Sequence, residues 1–266
     1  MNEKNAMKAP LAPWADSLPT GWDVCRLDAV ADVFFSNVDK HTVDGEIPVR
    51  LCNYVDVYKN ERITGALDFM EASAEPREIE KFQIRIGDVL ATKDSEEAND
   101  IAIPALVAEE LSGVICGYHL ALIRPRSHRI TGDFIAWAHR SKQFRAQYEA
   151  KAVGVTRFGL SQYAFRSALI PVPPKPEQER INSFLDHSCA AIDAVAALAT
   201  PKDETKLLSG VLNQQMRTLR TYRNSLIHEC VTGHRRRLHR GRSGQHHFLQ
   251  DAVQLALPSR AQARRG

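Results

Sequence analysis

Four prolines in six positions divide this chain into two parts with different folding rules. They are Pro171, Pro173, Pro174 and Pro176. Because proline fixes φ and has no backbone N–H, this run cannot lie inside a helix and favours an extended connection. Pro176 suits the first turn of a helix. The chain is therefore predicted to change from a mixed domain to a helical region at about residue 176.

The helical region has a single apolar stripe with three- and four-residue steps, which is typical of amphipathic helices. We predict a helical spacer over 176–233, interrupted near Thr200-Pro201 and ending at Thr232-Gly233. Two arrangements fit the stripe: a hairpin of two helices, or an exposed seam for a partner helix. We favour the seam because the proline run detaches the helix from the domain. The residues expected to carry helix assembly are Ile181, Leu185, Ile192, Leu207, Val211 and Leu226.

The part before the prolines is predicted to be a leader over 1–17 and a globular domain over 18–175. That domain contains helical patterns at Arg26–Phe35 and Asp133–Ala152, with short apolar runs between them. The runs predict strands at 84–86, 89–90 and 120–123. This mixture without regular βα alternation indicates an α+β fold.

The charge of the chain is unevenly distributed. The formal net charge is +3, but residues 234–266 carry eight arginines and one acid, so that they contribute +7 and the rest −4. We expect this basic tail to be mobile because it has few large apolar residues and repels itself. It fits either a truncated end, which we favour because it has no lysine and no periodicity, or an arm that contacts DNA.

Several classes of protein lack support in the sequence. No apolar run is long enough to span a membrane, and the five scattered cysteines contain no CxxC pair, so a cytoplasmic location without disulfides or zinc is expected. The Walker, GxSxG and HExxH motifs are absent, as is an Asn-Pro-Pro-aromatic methyltransferase motif. We therefore predict no catalytic residues, no metal and no cofactor in this chain.

Polar strings beside strand ends offer groups that could contact DNA. Lysine and arginine neutralise phosphates, and short polar side chains and arginine contact base edges in the major groove. Each residue alone is also compatible with an ordinary turn or strand position. The candidate DNA-binding residues are Arg50, Tyr54, Lys93, Asp94, Ser95, Tyr118, His119, Thr156 and Arg157.

Taken together, these strings resemble the specificity (S) subunit of type I restriction–modification systems. The resemblance covers roughly residues 18–233, and its most specific element is the proline exit followed by Glu177-Gln178 and a long helix. Its other elements are Leu18-Pro19-Thr20-Gly21-Trp22, the run 87–95 with 100–105, Thr156–Ser161, and Val231-Thr232-Gly233.

The resemblance implies a non-catalytic subunit that recognises DNA. It implies a target-recognition domain for half of a bipartite site in double-stranded DNA, and spacer helices that dock an adenine methyltransferase subunit. S-adenosylmethionine, ATP and Mg would then be bound by that subunit and by a motor-nuclease restriction subunit. The chain has one such domain and one spacer, so a second half-specificity subunit, or a second copy of itself, is an expected partner.

Two other functions also fit the sequence. One is a truncated remnant that folds and associates through its helices without supporting a restriction system. The other is a DNA-modifying enzyme in its own right, against which the missing motifs count.

Overall fold

The computed structural model describes residues 12–198 and 206–235, with side chains at 12–197 and 213–235. The strands are β1 (Asp23–Arg26), β2 (Ala31–Phe35), β3 (Ile47–Cys52), β4 (Arg62–Ile63), β5 (Met70–Ala74), β6 (Val89–Thr92), β7 (Asp94–Ser95), β8 (Pro104–Val107), β9 (Val114–Cys116), β10 (Leu120–Pro125), β11 (Phe158–Gly159) and β12 (Leu169–Val172). The helices are α1 (Tyr54–Lys59), α2 (Pro76–Phe82), α3 (Gly132–Arg140), α4 (Lys142–Glu149), α5 (Gln162–Arg166), α6 (Lys175–Leu198) and α7 (Lys206–Val231). The predicted α+β class is confirmed.

A five-stranded sheet with the order β2-β10-β6-β8-β4 lies between two hydrophobic cores. Successive side chains of a strand point to opposite faces. In β6, Val89 belongs to the core shared with the helices, whereas Leu90 belongs to the core shared with the three-stranded sheet β5-β3-β9. In β10, Ile123 likewise belongs to the core shared with the helices, and Leu122 belongs to the core shared with the three-stranded sheet. Because both faces are covered, residues 89–91 of β6 and 120–123 of β10 are all apolar.

The predicted strands at 89–90 and 120–123 are confirmed as parts of β6 and β10, but two other local predictions are wrong. Residues 84–86 lead into a turn, in which the Asp88 N–H donates to the Arg85 carbonyl and Gly87 has a φ of +87°. The pattern at Arg26–Phe35 forms a short 3-10 turn and β2, not a helix. Pairing of β2 with β10 across five residue pairs outweighs the weak helical preference.

The helical pattern at Asp133–Ala152 is confirmed as two helices separated at Ser141. The Ser141 hydroxyl accepts a hydrogen bond from the Phe144 N–H, so it caps the start of α4. Such an N-cap replaces a missing backbone partner at a helix start. The apolar residues of α3, with Phe134 fully buried, cover the central sheet.

The exposed-seam prediction is wrong for the described side chains of α6 and α7. The two helices pack against each other, and both pack against α3. Four of the predicted assembly residues are buried within this chain: Ile181, Leu185, Ile192 and Leu226. The side chains of Leu207 and Val211 lie outside the described residues, as does the predicted interruption at Thr200-Pro201. The stripe therefore forms an internal hairpin core.

Side-chain hydrogen bonds of Gln178 explain why the prolines do not detach the helices. Its Nε2 donates to the carbonyls of Arg129 (2.9 Å) and Pro173 (2.8 Å), and its Oε1 accepts from the Thr131 N–H (2.9 Å). Just before the helix, β12 pairs with β1. The start of α6 is thus fastened to the domain on both sides.

Both ends of the described chain pack onto the body. Trp14 is buried and stacks on Phe144 at 6.2 Å, so residues 12–17 belong to the fold and not to the predicted leader. At the other end, Arg235 forms an ion pair with Glu229 (3.6 Å). The remainder of the predicted tail, 236–266, lies outside the described residues. None of the described helices has the length and apolar character that a membrane crossing requires.

Candidate functional site

Strand ends bring the candidate side chains together at one place. β3 and β9 run parallel with Cys52 opposite Cys116. Because parallel strands have their carboxyl ends on the same side, the residues that follow them are neighbours. Tyr54 follows β3, and Tyr118 follows β9.

A second pair of strands adds the lysine and the carboxylate. β6 and β10 are antiparallel with Thr92 opposite Leu120. The end of β6 therefore meets the start of β10, where the Lys93 N–H donates to the His119 carbonyl at 3.1 Å. β11 pairs with β7 and places Gly159 opposite Asp94. We call the resulting group the strand-end cluster: Tyr54, Lys93, Asp94, Ser95, Tyr118, His119 and Arg157.

The Asp94 carboxylate is the centre of the cluster. The guanidinium of Arg157 donates two hydrogen bonds to one of its oxygens, one of them from Nε at 3.1 Å. The other oxygen lies 2.7 Å from Nδ1 of His119. The hydrogen bond to Asp94 raises the pKa of Arg157, which is half exposed. The contacts therefore hold the arginine in a defined orientation while leaving part of it open to solvent.

Lys93 is held by carbonyl and aromatic groups. Its Nζ donates to the Ser36 carbonyl at 2.9 Å and lies 4.4 Å from the ring centroid of Tyr118 and 5.2 Å from that of Phe35. Burial lowers its pKa. Such cation–π contacts stabilise an ammonium that is partly removed from water. Lys93 thus supports the position of Tyr118, whose side chain is half exposed.

The sequence did not single out Tyr58 and Asp100, which extend the cluster. The rings of Tyr54 and Tyr58 stack at 5.5 Å with an interplanar angle of 14°, and the Tyr58 hydroxyl donates to Asp100 at 2.6 Å. That hydrogen bond raises the pKa of Tyr58 to about 12. The signal available in the sequence was the four-residue spacing of the tyrosines, which places them on one helix face.

Two candidate residues have other surroundings. Arg50 is the fourth residue of β3 and lies opposite Val114, the first residue of β9; its guanidinium donates to the carbonyl of Ser112, which precedes β9, at 2.8 Å. It is not part of the strand-end cluster. Thr156 is exposed in the loop 154–157, next to Arg157.

The loop that carries Arg157 has a tightly defined shape. Val153 and Gly159 exchange backbone hydrogen bonds of 3.0 and 2.9 Å across it. A Cβ on Gly154 would lie 2.0 Å from the Arg157 carbonyl oxygen, so only glycine fits this close approach. The loop backbone therefore supports the orientation of Arg157 that Asp94 fixes from the other side.

Metal binding has no support in the described part of the chain. There, no three His, Cys, Asp or Glu side chains are grouped so that they could hold an ion. Cys116 and Cys52 are buried near the cluster, and burial raises the pKa of both thiols. The strand-end cluster offers hydrogen-bond donors, hydrogen-bond acceptors and aromatic rings.

A family model described as the type I restriction modification DNA specificity domain matches residues 19–197. None of the curated proteins matches the chain. One similar solved chain, from work on complex assembly and conformational transition of the type I R-M system, has 17% identity and a TM-score of 0.49, with 80% of this chain and 46% of that chain covered. The HsdS subunit from Thermoanaerobacter tengcongensis has 20% identity and a TM-score of 0.47, with coverages of 71% and 52%.

A third solved structure, the type I restriction–modification S subunit from M. genitalium, has 16% identity and a TM-score of 0.43, with 69% of this chain and 42% of that chain covered. The chain thus spans about half the length of the solved chains it matches.

Proposed function

Because the chain belongs to the family of type I restriction–modification DNA specificity domains, whose model matches residues 19–197, we propose that it is a sequence-specific DNA-recognition subunit. One observation carries the proposal: the guanidinium of Arg157 is oriented by Asp94 at the edge of the molecule. A guanidinium held in a fixed direction can donate two parallel hydrogen bonds to a guanine edge. Orientation before binding also lowers the entropy cost of ordering a long side chain.

The other groups of the strand-end cluster extend the base contacts. A carboxylate such as Asp94 accepts from the cytosine amino group, and a hydroxyl or imidazole can donate or accept. Tyr118 offers a half-exposed ring beside them. Base pairs differ in the major groove by their pattern of donors, acceptors and methyl groups. The cluster has the donors, acceptors and apolar surface that are needed to contact such a pattern.

In the proposed complex this chain selects the site and its partners carry out the reactions. The adenine methyltransferase subunit would bind S-adenosylmethionine and take the adenine out of the helix, and the motor-nuclease subunit would use ATP and Mg. A single domain would recognise one half of a bipartite site. Two copies, or this chain with a second half-specificity subunit, would supply both halves, and a two-fold dimer would require a palindromic target.

The test is co-expression of the full chain with an adenine methyltransferase subunit of a type I system, followed by mapping of methyladenine on plasmid DNA. We expect methylation at a single bipartite motif that disappears when this chain is omitted. The variant Arg157→Ala should change or abolish the motif, whereas Arg77→Ala, which removes an exposed cation on α2, should leave it unchanged. Random methylation, or the same motif without this chain, would contradict the proposal.

The same experiment separates the other two functions. A remnant that folds and associates would co-purify with the methyltransferase and yet direct no methylation to a motif. An enzyme in its own right would modify plasmid DNA when expressed without the methyltransferase subunit. Either result would replace the proposed function.

A further inference from the structure

The excess of negative charge at the strand-end cluster makes it a poor source of sequence-independent affinity for DNA. Counted with their neighbours, the carboxylates at the cluster outnumber the lysine and arginine side chains: Asp94, Glu96, Glu97 and Asp100 against Lys93, Arg145 and Arg157. Neutralisation of phosphates supplies most of the sequence-independent affinity of proteins for DNA. If the cluster contacts bases, as the proposed function requires, phosphate contacts must come from another surface.

A group of cations lies beside the loop that carries Arg157. Lys151 precedes that loop, and its Nζ donates to the Ser167 hydroxyl at 2.9 Å. Arg166 is at the end of α5, and its guanidinium lies 3.5 Å from the Val33 carbonyl. The Ser167 hydroxyl and the Val33 carbonyl are neutral groups, so these contacts do not balance the positive charges of Lys151 and Arg166.

An aromatic ring and a third cation complete this surface. Tyr163 is three residues before Arg166, on the same face of α5, and its side chain is 67% exposed. The guanidinium of Arg26 lies 5.7 Å from the Tyr163 ring centroid and is paired with Asp28 at 2.6 Å. We call Arg26, Lys151, Tyr163 and Arg166 the α5 patch.

The cations of the α5 patch influence one another. Burial and, secondly, the positive charge of Arg26 lower the pKa of Lys151. Like charges that are placed close together destabilise the free protein and favour the binding of an anion between them. Counted with Asp28, which is paired with Arg26, the patch has three cations and one carboxylate, and it therefore has the net positive charge that the strand-end cluster and its neighbours lack.

We propose that the α5 patch binds the phosphate backbone of duplex DNA, with Lys151 and Arg166 as the phosphate contacts. This inference rests on the proposed function and assigns a division of labour within it. The patch supplies affinity without sequence preference, and the strand-end cluster selects the bases. The Tyr163 hydroxyl offers a further donor to a phosphate or sugar oxygen.

The experiment compares binding of random-sequence duplex DNA by the full-length wild type, Lys151→Gln/Arg166→Gln and Arg77→Gln, measured by fluorescence anisotropy over a range of salt concentrations. Arg77→Gln is the matched control because its side chain is 92% exposed and lies on α2. All three proteins retain the basic tail, so its contribution is common to them. Circular dichroism checks that the double variant is folded.

We expect the double variant to lower the slope of log affinity against log salt by about one for each side chain removed. Between about 50 and about 200 mM salt, the wild type should then lose roughly tenfold more affinity than the double variant. The control should follow the wild type. Equal slopes for all three proteins would overturn the phosphate-binding role of the α5 patch and leave the proposed function standing. A wild type that does not bind duplex DNA would overturn both.

Discussion

Glu61 and Arg223, which are 162 residues apart in the sequence, form an ion pair at 2.5 Å. Arg223 belongs to α7, and Glu61 follows α1, the helix that carries the stacked tyrosines of the site. The same carboxylate lies 3.6 Å from Arg140 of α3, and Arg223 lies 3.3 Å from Asp193 of α6. One small network therefore connects the end of α1 to α3 and to both helices of the hairpin.

Glu61→Gln should lower the free energy of unfolding by ~1–2 kcal/mol, because it removes the charge that Arg140 and Arg223 share. Their side chains are only 10% and 14% exposed, so water replaces the lost partner poorly. Urea denaturation measures the change. Glu110→Gln, an exposed glutamate, is the matched control and should be neutral. Equal midpoints for the two variants would show that the network does not stabilise the hairpin contact.

Arg157→Lys should weaken binding to duplex DNA that contains the motif identified by methylation mapping, by ~1–3 kcal/mol. Binding to random-sequence duplex DNA should stay nearly unchanged. Lysine keeps the charge but cannot donate two parallel hydrogen bonds. Affinities for motif and random duplexes at one salt concentration provide the measurement. If the two affinities fall by the same factor, Arg157 contacts phosphate and does not select a base.

Ile192→Asp should unfold or strongly destabilise the chain itself, since it places an unpaired carboxylate in the hairpin core. Burial of such a charge costs several kcal/mol. Ala190→Asp, two residues away on the exposed side of α6, is the control and should melt close to the wild type. Thermal denaturation followed by circular dichroism distinguishes them. Dissociation of an oligomer without loss of stability in Ile192→Asp would restore the exposed-seam interpretation.

His139 should make stability depend on pH. Its Nδ1–H donates to the Ile135 carbonyl (2.8 Å), and its Nε2 accepts from the Tyr148 hydroxyl (2.9 Å), an arrangement that needs the neutral ring. Burial lowers the pKa of His139 to about 4. The imidazole of the unfolded chain has a pKa of about 6.5. Between about pH 4 and this value, the unfolded chain therefore binds a proton at His139 that the folded chain does not.

It follows that the stabilisation from neutral His139 is complete above about pH 6.5 and is lost as the pH falls towards 4, by up to about 3 kcal/mol. Urea denaturation of wild type and His139→Gln across this interval isolates the contribution, because the carboxylates titrate equally in both. The variant should show the flatter profile. His41→Gln, which alters an exposed histidine, should keep the pH dependence of the wild type.

Local patterns in the sequence were enough to identify several elements of this fold. The run 120–123 is apolar because it is buried on both faces, and it forms β10. Pro176 marks the first turn of α6 as its fixed φ requires. The α+β class and most of the candidate site residues follow from such short-range signals, since strand ends and glycine turns are where polar side chains gather in this chain.

Long-range packing decided what those signals could not. The stripe of Ile181 and Leu185 has the same spacing whether it meets a partner chain or its own domain, and only the position of α3 makes it an internal core. The pairing of Arg157 with Asp94, like the separation of Arg50 from them, depends on which strands are neighbours. The sequence by itself determined which residues are apolar, polar or conformationally restricted. Their partners were set by the tertiary structure, because burial and hydrogen bonding between distant segments are energies of the whole fold and not of any local segment.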